Sequence, residues 1–81
     1  MNPLKLMYIE WMDAVSVDPW TPIEEIEPMY HLIKTVGIFI KEDAEVLVIG
    51  LNQDTDSDNF SCFIHIPQCM IQEKKLLGFI D

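Results

Sequence analysis

Residues 31–41, HLIKTVGIFIK, run into the charged stretch 41–44, KEDA, and then into residues 45–51, EVLVIGL. Ile33, Thr35, Val36, Ile38 and Ile40 make the first segment dense in β-branched residues, and Val46, Val48 and Ile49 do the same for the second. Branching at Cβ suits a pleated strand better than a helix. Two such runs around a short charged turn predict an antiparallel hairpin. Gly37 and Gly50 lie inside the strands, where glycine marks a bulge or bend of the kind a small closing barrel needs.

Downstream, the polar stretch 52–59, NQDTDSDN, reads as a loop and residues 60–66, FSCFIHI, as a third long strand. Strict alternation there puts Phe60, Cys62, Ile64 and Ile66 on one face and Ser61, Phe63 and His65 on the other, with Cys62 in the core. Pro67 ends the strand, residues 67–70 turn, and residues 71–77 form a last strand. Upstream, residues 4–12 read as the first strand. A helix competes, because Leu4, Met7/Tyr8, Trp11/Met12 and Val15 also fit a 3.6-residue period; Tyr, Ile and Trp tip the balance toward β.

Residues 16–21 turn at Asp18-Pro19. Thr21-Pro22-Ile23-Glu24 then has the form of a capping box. Thr21 is the N-cap, Pro22 takes the first helical position, and Glu24 reaches back to the Thr21 amide. Pro28 limits the helix to one or two turns, partly 3₁₀, with Ile23 and Ile26 expected to face the core. The whole reads as one mainly β domain over residues 1–81: a small antiparallel barrel or a strongly bent sheet of about five strands with one short helix.

Composition narrows the function. The 81 residues hold fourteen acids and five bases, all lysine, for a net charge of −9. A binder of nucleic-acid phosphates needs clustered Lys and Arg, so direct nucleic-acid binding is not expected. Apolar runs of about six residues fall far short of the ~20 needed to span a membrane. Residues 1–11 lack the long apolar core of a secretory leader, and two cysteines fit a reduced cytoplasm better than a disulfide scaffold.

Metal and catalytic patterns are thin. Asp54-x-Asp56-x-Asp58-Asn59 opens like a calcium loop, but Asn59 stands where the EF-hand needs glycine and His65 where it needs glutamate. Cys62, His65 and Cys69, with His31 as a fourth ligand, have zinc-binding chemistry. Cys62 and His65 nevertheless point to opposite faces of a strand, so no metal site is assigned. Glu24 and Glu25 diverge by about 100° on a helix and cannot act as a facing pair. No nucleophile elbow, phosphate-cradling glycine loop or zinc-protease motif is present, so no catalytic residue and no cofactor is assigned.

The aromatic residues are Tyr8, Trp11, Trp20, Tyr30, Phe39, Phe60, Phe63 and Phe79, most of them expected in the core. Trp11, Trp20 and Tyr30 flank the excursion between the first strand and the hairpin, where they could stack on a nucleotide-like ligand with Lys34 or Lys41 supplying charge. Several strands are apolar on both faces: Met7 and Ile9 alternate with Leu6 and Tyr8, and Leu47 and Ile49 with Val46 and Val48. One small chain can hardly cover both, which predicts a homo-oligomer.

Trp11-x-Asp13-Ala14, Trp20, Thr35-Val36-Gly37-x-Phe39-x-Lys41-Glu42-Asp43 and Ile66-Pro67-x-x-x-Ile71 together resemble a group of small uncharacterised bacteriophage proteins. The last motif also resembles, in architecture alone, the single turn before the closing strand of Sm-like barrels. The phage resemblance implies an accessory factor acting in the host cytoplasm on defence or takeover, and it brings no catalytic residues. The reading is then a non-catalytic oligomer that sequesters a small ligand, of the nucleotide second-messenger class, in a pocket between subunits. An acidic inhibitor mimicking DNA on a basic host nuclease or polymerase is the alternative, and a virion or assembly role is a third.

Overall fold

The computed structural model describes residues 3–81; the first two residues of the leader reading lie outside it. Five strands form one antiparallel sheet: β1 (Leu4–Asp13), β2 (His31–Glu42), β3 (Val46–Gln53), β4 (Phe60–Pro67) and β5 (Ile71–Ile80). Their spatial order is β4-β3-β2-β1-β5. The sheet is bent but does not close, so of the two expected architectures the open one is adopted and the barrel is not. Single 3₁₀ turns over Ile23–Glu25 and Gln68–Met70 are the helical elements among the described residues, and no helix there is long and apolar enough to cross a membrane.

The bend follows from how β2 divides its partners. Residues 31–38 pair with β1, and Ile38 to Glu42 pair with β3. Phe39 faces Ile49 and Lys41 faces Val48, so Ile40 is one residue more than its partner strand supplies. Such a bulge increases local twist. Gly37 lies beside it, where an added Cβ would collide with Ile49 Cγ2 and come within 2.8 Å of the Gly50 carbonyl oxygen. The half-sheet β2-β3-β4 folds over the half-sheet β5-β1-β2 at this point. The core fills the inner angle, with Ile9 and Trp11 of β1 against Leu47 and Ile49 of β3 and Ile66 of β4. Met7, Ile33, Phe39 and Ile71 pack around them. Gln68 Nε2 donates to Glu42 at 2.8 Å and Lys74 pairs with the same carboxylate at 3.3 Å, tying β5 and the second turn to the end of β2.

Four expectations are corrected. Thr21 does not cap a helix; its hydroxyl donates to the Pro19 carbonyl at 3.0 Å, and Pro22 precedes the 3₁₀ turn with no side-chain cap. Ile23 and Ile26 face solvent, because a three-residue turn between Pro22 and Pro28 packs no face against the sheet. Cys62 is exposed rather than buried and has φ 56°, in the left-handed region. There the alternation of β4 breaks. Of the aromatic residues only Trp11 is buried, while Trp20, Tyr30, Phe63 and Phe79 are more than half exposed.

The chain is drawn out to 56 × 22 × 20 Å. It exposes 6470 Å², against about 5,000 Å² for a compact chain of its 9.4 kDa mass.

Candidate functional site

The outer face of β2-β3-β4 carries a groove of about 310 Å³, lined by Ile40, Lys41, Val48, Phe60, Phe63 and His65. Register builds it. Lys41 faces Val48 and Val48 faces His65, so a cation, an apolar residue and an imidazole stand side by side across three strands. Gly50, opposite Phe63, keeps room for the groove walls. A Cβ there would press on Ile40 Cδ1 at 2.7 Å and Phe60 Cδ1 at 3.0 Å. The His65 ring meets Phe63 edge to face, with centroids 5.7 Å apart and planes at 61°.

Two backbone irregularities aim these side chains. The bulge at Ile40 sets Ile40 and Lys41 along the same groove. The left-handed Cys62 lets Phe60 and Phe63 line one groove, although residues three apart in a regular strand point to opposite faces. A non-glycine residue in that region costs of order 1–3 kcal/mol, and such outliers concentrate at working sites.

The groove has no carboxylate in its lining, in a chain with fourteen acids. A larger hollow of about 620 Å³ in the excursion of residues 14–30 is lined by Trp20, Val17 and Met29 but also by Asp18, Glu25 and Glu27. A third, of about 590 Å³, includes Asp58 and Asp81. Both repel anions, whereas the β2-β3-β4 groove offers Lys41 and His65 as donors and Phe60 and Phe63 as apolar surface.

The expected stacking set is not assembled in one copy. Trp11 is core: its indole N–H donates to Thr35 Oγ1 at 3.0 Å and its ring is buried, so it presents no face to a ligand. Trp20 is fully exposed on the excursion, and Tyr30 is exposed just before β2. Lys34 faces Glu10 in the β1 pairing, seven residues or about 23 Å along β2 from Lys41. Lys41 alone of the five lines the groove. Sequence reasoning missed Phe60, Phe63 and His65 as a set. The Phe63–His65 alternation was readable, but the reversal at Cys62 that adds Phe60 was not.

Other charged groups hold the fold. Tyr8 donates to Glu10, and this bond, with burial and the nearby Glu10 and Glu73 charges, pushes the Tyr8 phenol up to about 12. Asp43 accepts the backbone N–H groups of Glu45 and Val46 at 2.8 Å, which holds its carboxyl below the ordinary value. Glu42 is lowered likewise, first by the amide of Gln68; burial opposes this, and the hydrogen bond and charge of Lys74 add to the lowering. In the β3-β4 loop the Asp54 carboxylate accepts the Asp56 N–H at 2.9 Å, and among the described residues no three His, Cys, Asp or Glu side chains gather as a metal site. No family model matches the chain, and no curated protein or solved structure matches it either.

Proposed function

We propose that this chain is a non-catalytic, homo-oligomeric binding protein that sequesters a small anionic aromatic ligand of the nucleotide class in the β2-β3-β4 groove. The observation that carries the reading is a carboxylate-free groove with a lysine, a histidine and two phenylalanines on a protein of charge −9. A purine or pyrimidine stacks on Phe60 and Phe63, and Lys41 and His65 donate to its phosphate. The overall negative charge does not forbid this, because charges beyond about 8 Å are screened at physiological ionic strength. The excess of exposed surface supports an oligomer, since a standard interface buries about 800 Å² per partner. In the phage setting that the sequence motifs suggest, the ligand is a nucleotide signal of host defence.

Native mass spectrometry of gently purified protein, followed by calorimetry with mono-, di- and cyclic nucleotides, tests this. Micromolar binding that weakens about tenfold in Phe63→Ala and falls in Lys41→Ala, with Lys34→Ala unchanged, is the expected result. Failure of every nucleotide to bind at micromolar concentration overturns it.

A further inference from the structure

Residues 14–30 leave the sheet between β1 and β2 and contain Pro19, Pro22 and Pro28. Proline fixes φ near −65°. Pro22, at φ −59° and ψ 141°, has polyproline II geometry before the 3₁₀ turn, and Ile26, at φ −85° and ψ 117°, is extended after it.

Val17, Trp20, Ile23, Ile26 and Met29 recur at every third position, and each is more than half exposed. Asp13 pairs with His31, so the excursion leaves the sheet and returns to it at one place, as a loop. It is an arm whose apolar side chains stand exposed in its own chain, interleaved with acids and with no base.

We infer that the arm of one copy docks on a second copy, with Trp20 seated in the partner's Phe60–Phe63 groove and the acids of the arm toward Lys41. Three observations select a second copy as the occupant. The surface excess over a compact chain, about 1,500 Å², exceeds what each partner of a stable dimer buries. The charges match, because the arm carries Asp18, Glu24, Glu25 and Glu27 and no base, whereas the groove carries Lys41 and His65 and no acid. The shapes match, because Trp20 stands fully exposed between Pro19 and Pro22, and the aromatic-lined groove of 310 Å³ accommodates an indole. The seat is the proposed ligand groove, so arm and ligand exclude each other; that corollary alone rests on the sequestering reading.

The test follows Trp20 emission in full-length Trp11→Phe, where Trp20 is the sole tryptophan, across a concentration series with sedimentation in parallel. Docking shifts the emission to the blue as copies associate, and Phe63→Ala or Lys41→Glu abolishes the shift and weakens association roughly 30-fold, as loss of a tryptophan anchor does. Emission that stays that of a water-exposed indole at every concentration overturns the proposal, as does a blue shift unaffected by both groove variants. If Trp11→Phe unfolds, acrylamide quenching of the native protein against Trp20→Phe gives the same readout. Adding a cyclic dinucleotide separates the two readings. Return of Trp20 to water supports both; docking without nucleotide binding sinks only the ligand reading; binding with Trp20 always in water sinks only the arm.

Discussion

Gly37→Ala tests whether the fold turns where β3 crosses β2. The added methyl meets Ile49 Cγ2 and the Gly50 carbonyl oxygen, the latter at 2.8 Å. The oxygen belongs to backbone, so no rotamer change relieves the clash. Overpacking of this kind costs typically 1–3 kcal/mol. Restricting the unfolded chain returns about 0.4–1 kcal/mol, leaving a net loss of about 1–2 kcal/mol. Gly78→Ala is the matched control, because nothing lies within 4 Å of its Cβ and its φ is not positive. That variant gains the unfolded-state term alone and is stabilised by about 0.4–1 kcal/mol. Urea unfolding followed by Trp11 fluorescence, at one fixed protein concentration because self-association adds to stability, reads both. With a slope near 1 kcal/mol per molar, Gly37→Ala lowers the midpoint by about 1–2 M and Gly78→Ala raises it by less than about 1 M. If Gly37→Ala matches the wild type, or if both variants lose equally, the crossing is not the tight point of the fold and the two-half description fails.

Thr35→Val leaves the Trp11 indole N–H without its acceptor and should cost about 1 kcal/mol or slightly more in the same assay. Absorbance at 295 nm should show one phenol titrating near pH 12, and Glu10→Gln should bring it down; Tyr8 is held protonated in the folded state, so its contribution is complete below pH 10 and is lost as the pH rises from 10 toward 12. Asp43 has the opposite sign. Its contribution is present above its unfolded value of 3.8 and is lost as the pH falls through the lowered folded value, so Asp43→Asn should flatten the acid limb of the stability curve, as read by circular dichroism against pH. Cys62→Gly should stabilise the monomeric unit by about 1 kcal/mol, since glycine takes φ 56° without strain; a loss would show that the left-handed residue is not strained.

The strands were legible because their signals are local. The β-branched runs, the charged turn at Asp43 and the polar loop at residues 54–59 each state their structure within a few residues. The 31–51 hairpin appears with its ends moved by two residues or fewer. The capping box misled for the converse reason. Thr21-Pro22-Ile23-Glu24 satisfies the local pattern, but a helix between Pro22 and Pro28 is too short to sustain itself and finds no surface on which to bury Ile23 and Ile26. The groove was hidden because it depends on partners far apart in sequence. Lys41, Val48 and His65 become neighbours only through two pairings, and Phe60 joins them only through the conformation of Cys62, which no adjacent glycine announces.

Regular alternation along β4 would have sent Phe60 and Ile66 to the same face, and Ile66 is fully buried there beside Leu47 and Ile49. The left-handed Cys62 instead commits Phe60 to the outer groove, next to a Phe63 that is half exposed. In a single copy this arrangement has two costs, backbone strain and exposed aromatic surface, and it contributes nothing to the core. Gly50 belongs with them, since a Cβ at that strand position would collide with Ile40 and Phe60 and displace the groove walls. The same three residues, Cys62, Gly50 and the bulged Ile40, both weaken the strand pairing and shape the groove. That coincidence is the physical reason to seek the compensating free energy in whatever occupies the groove, either a stacked ligand or the Trp20 of a second copy.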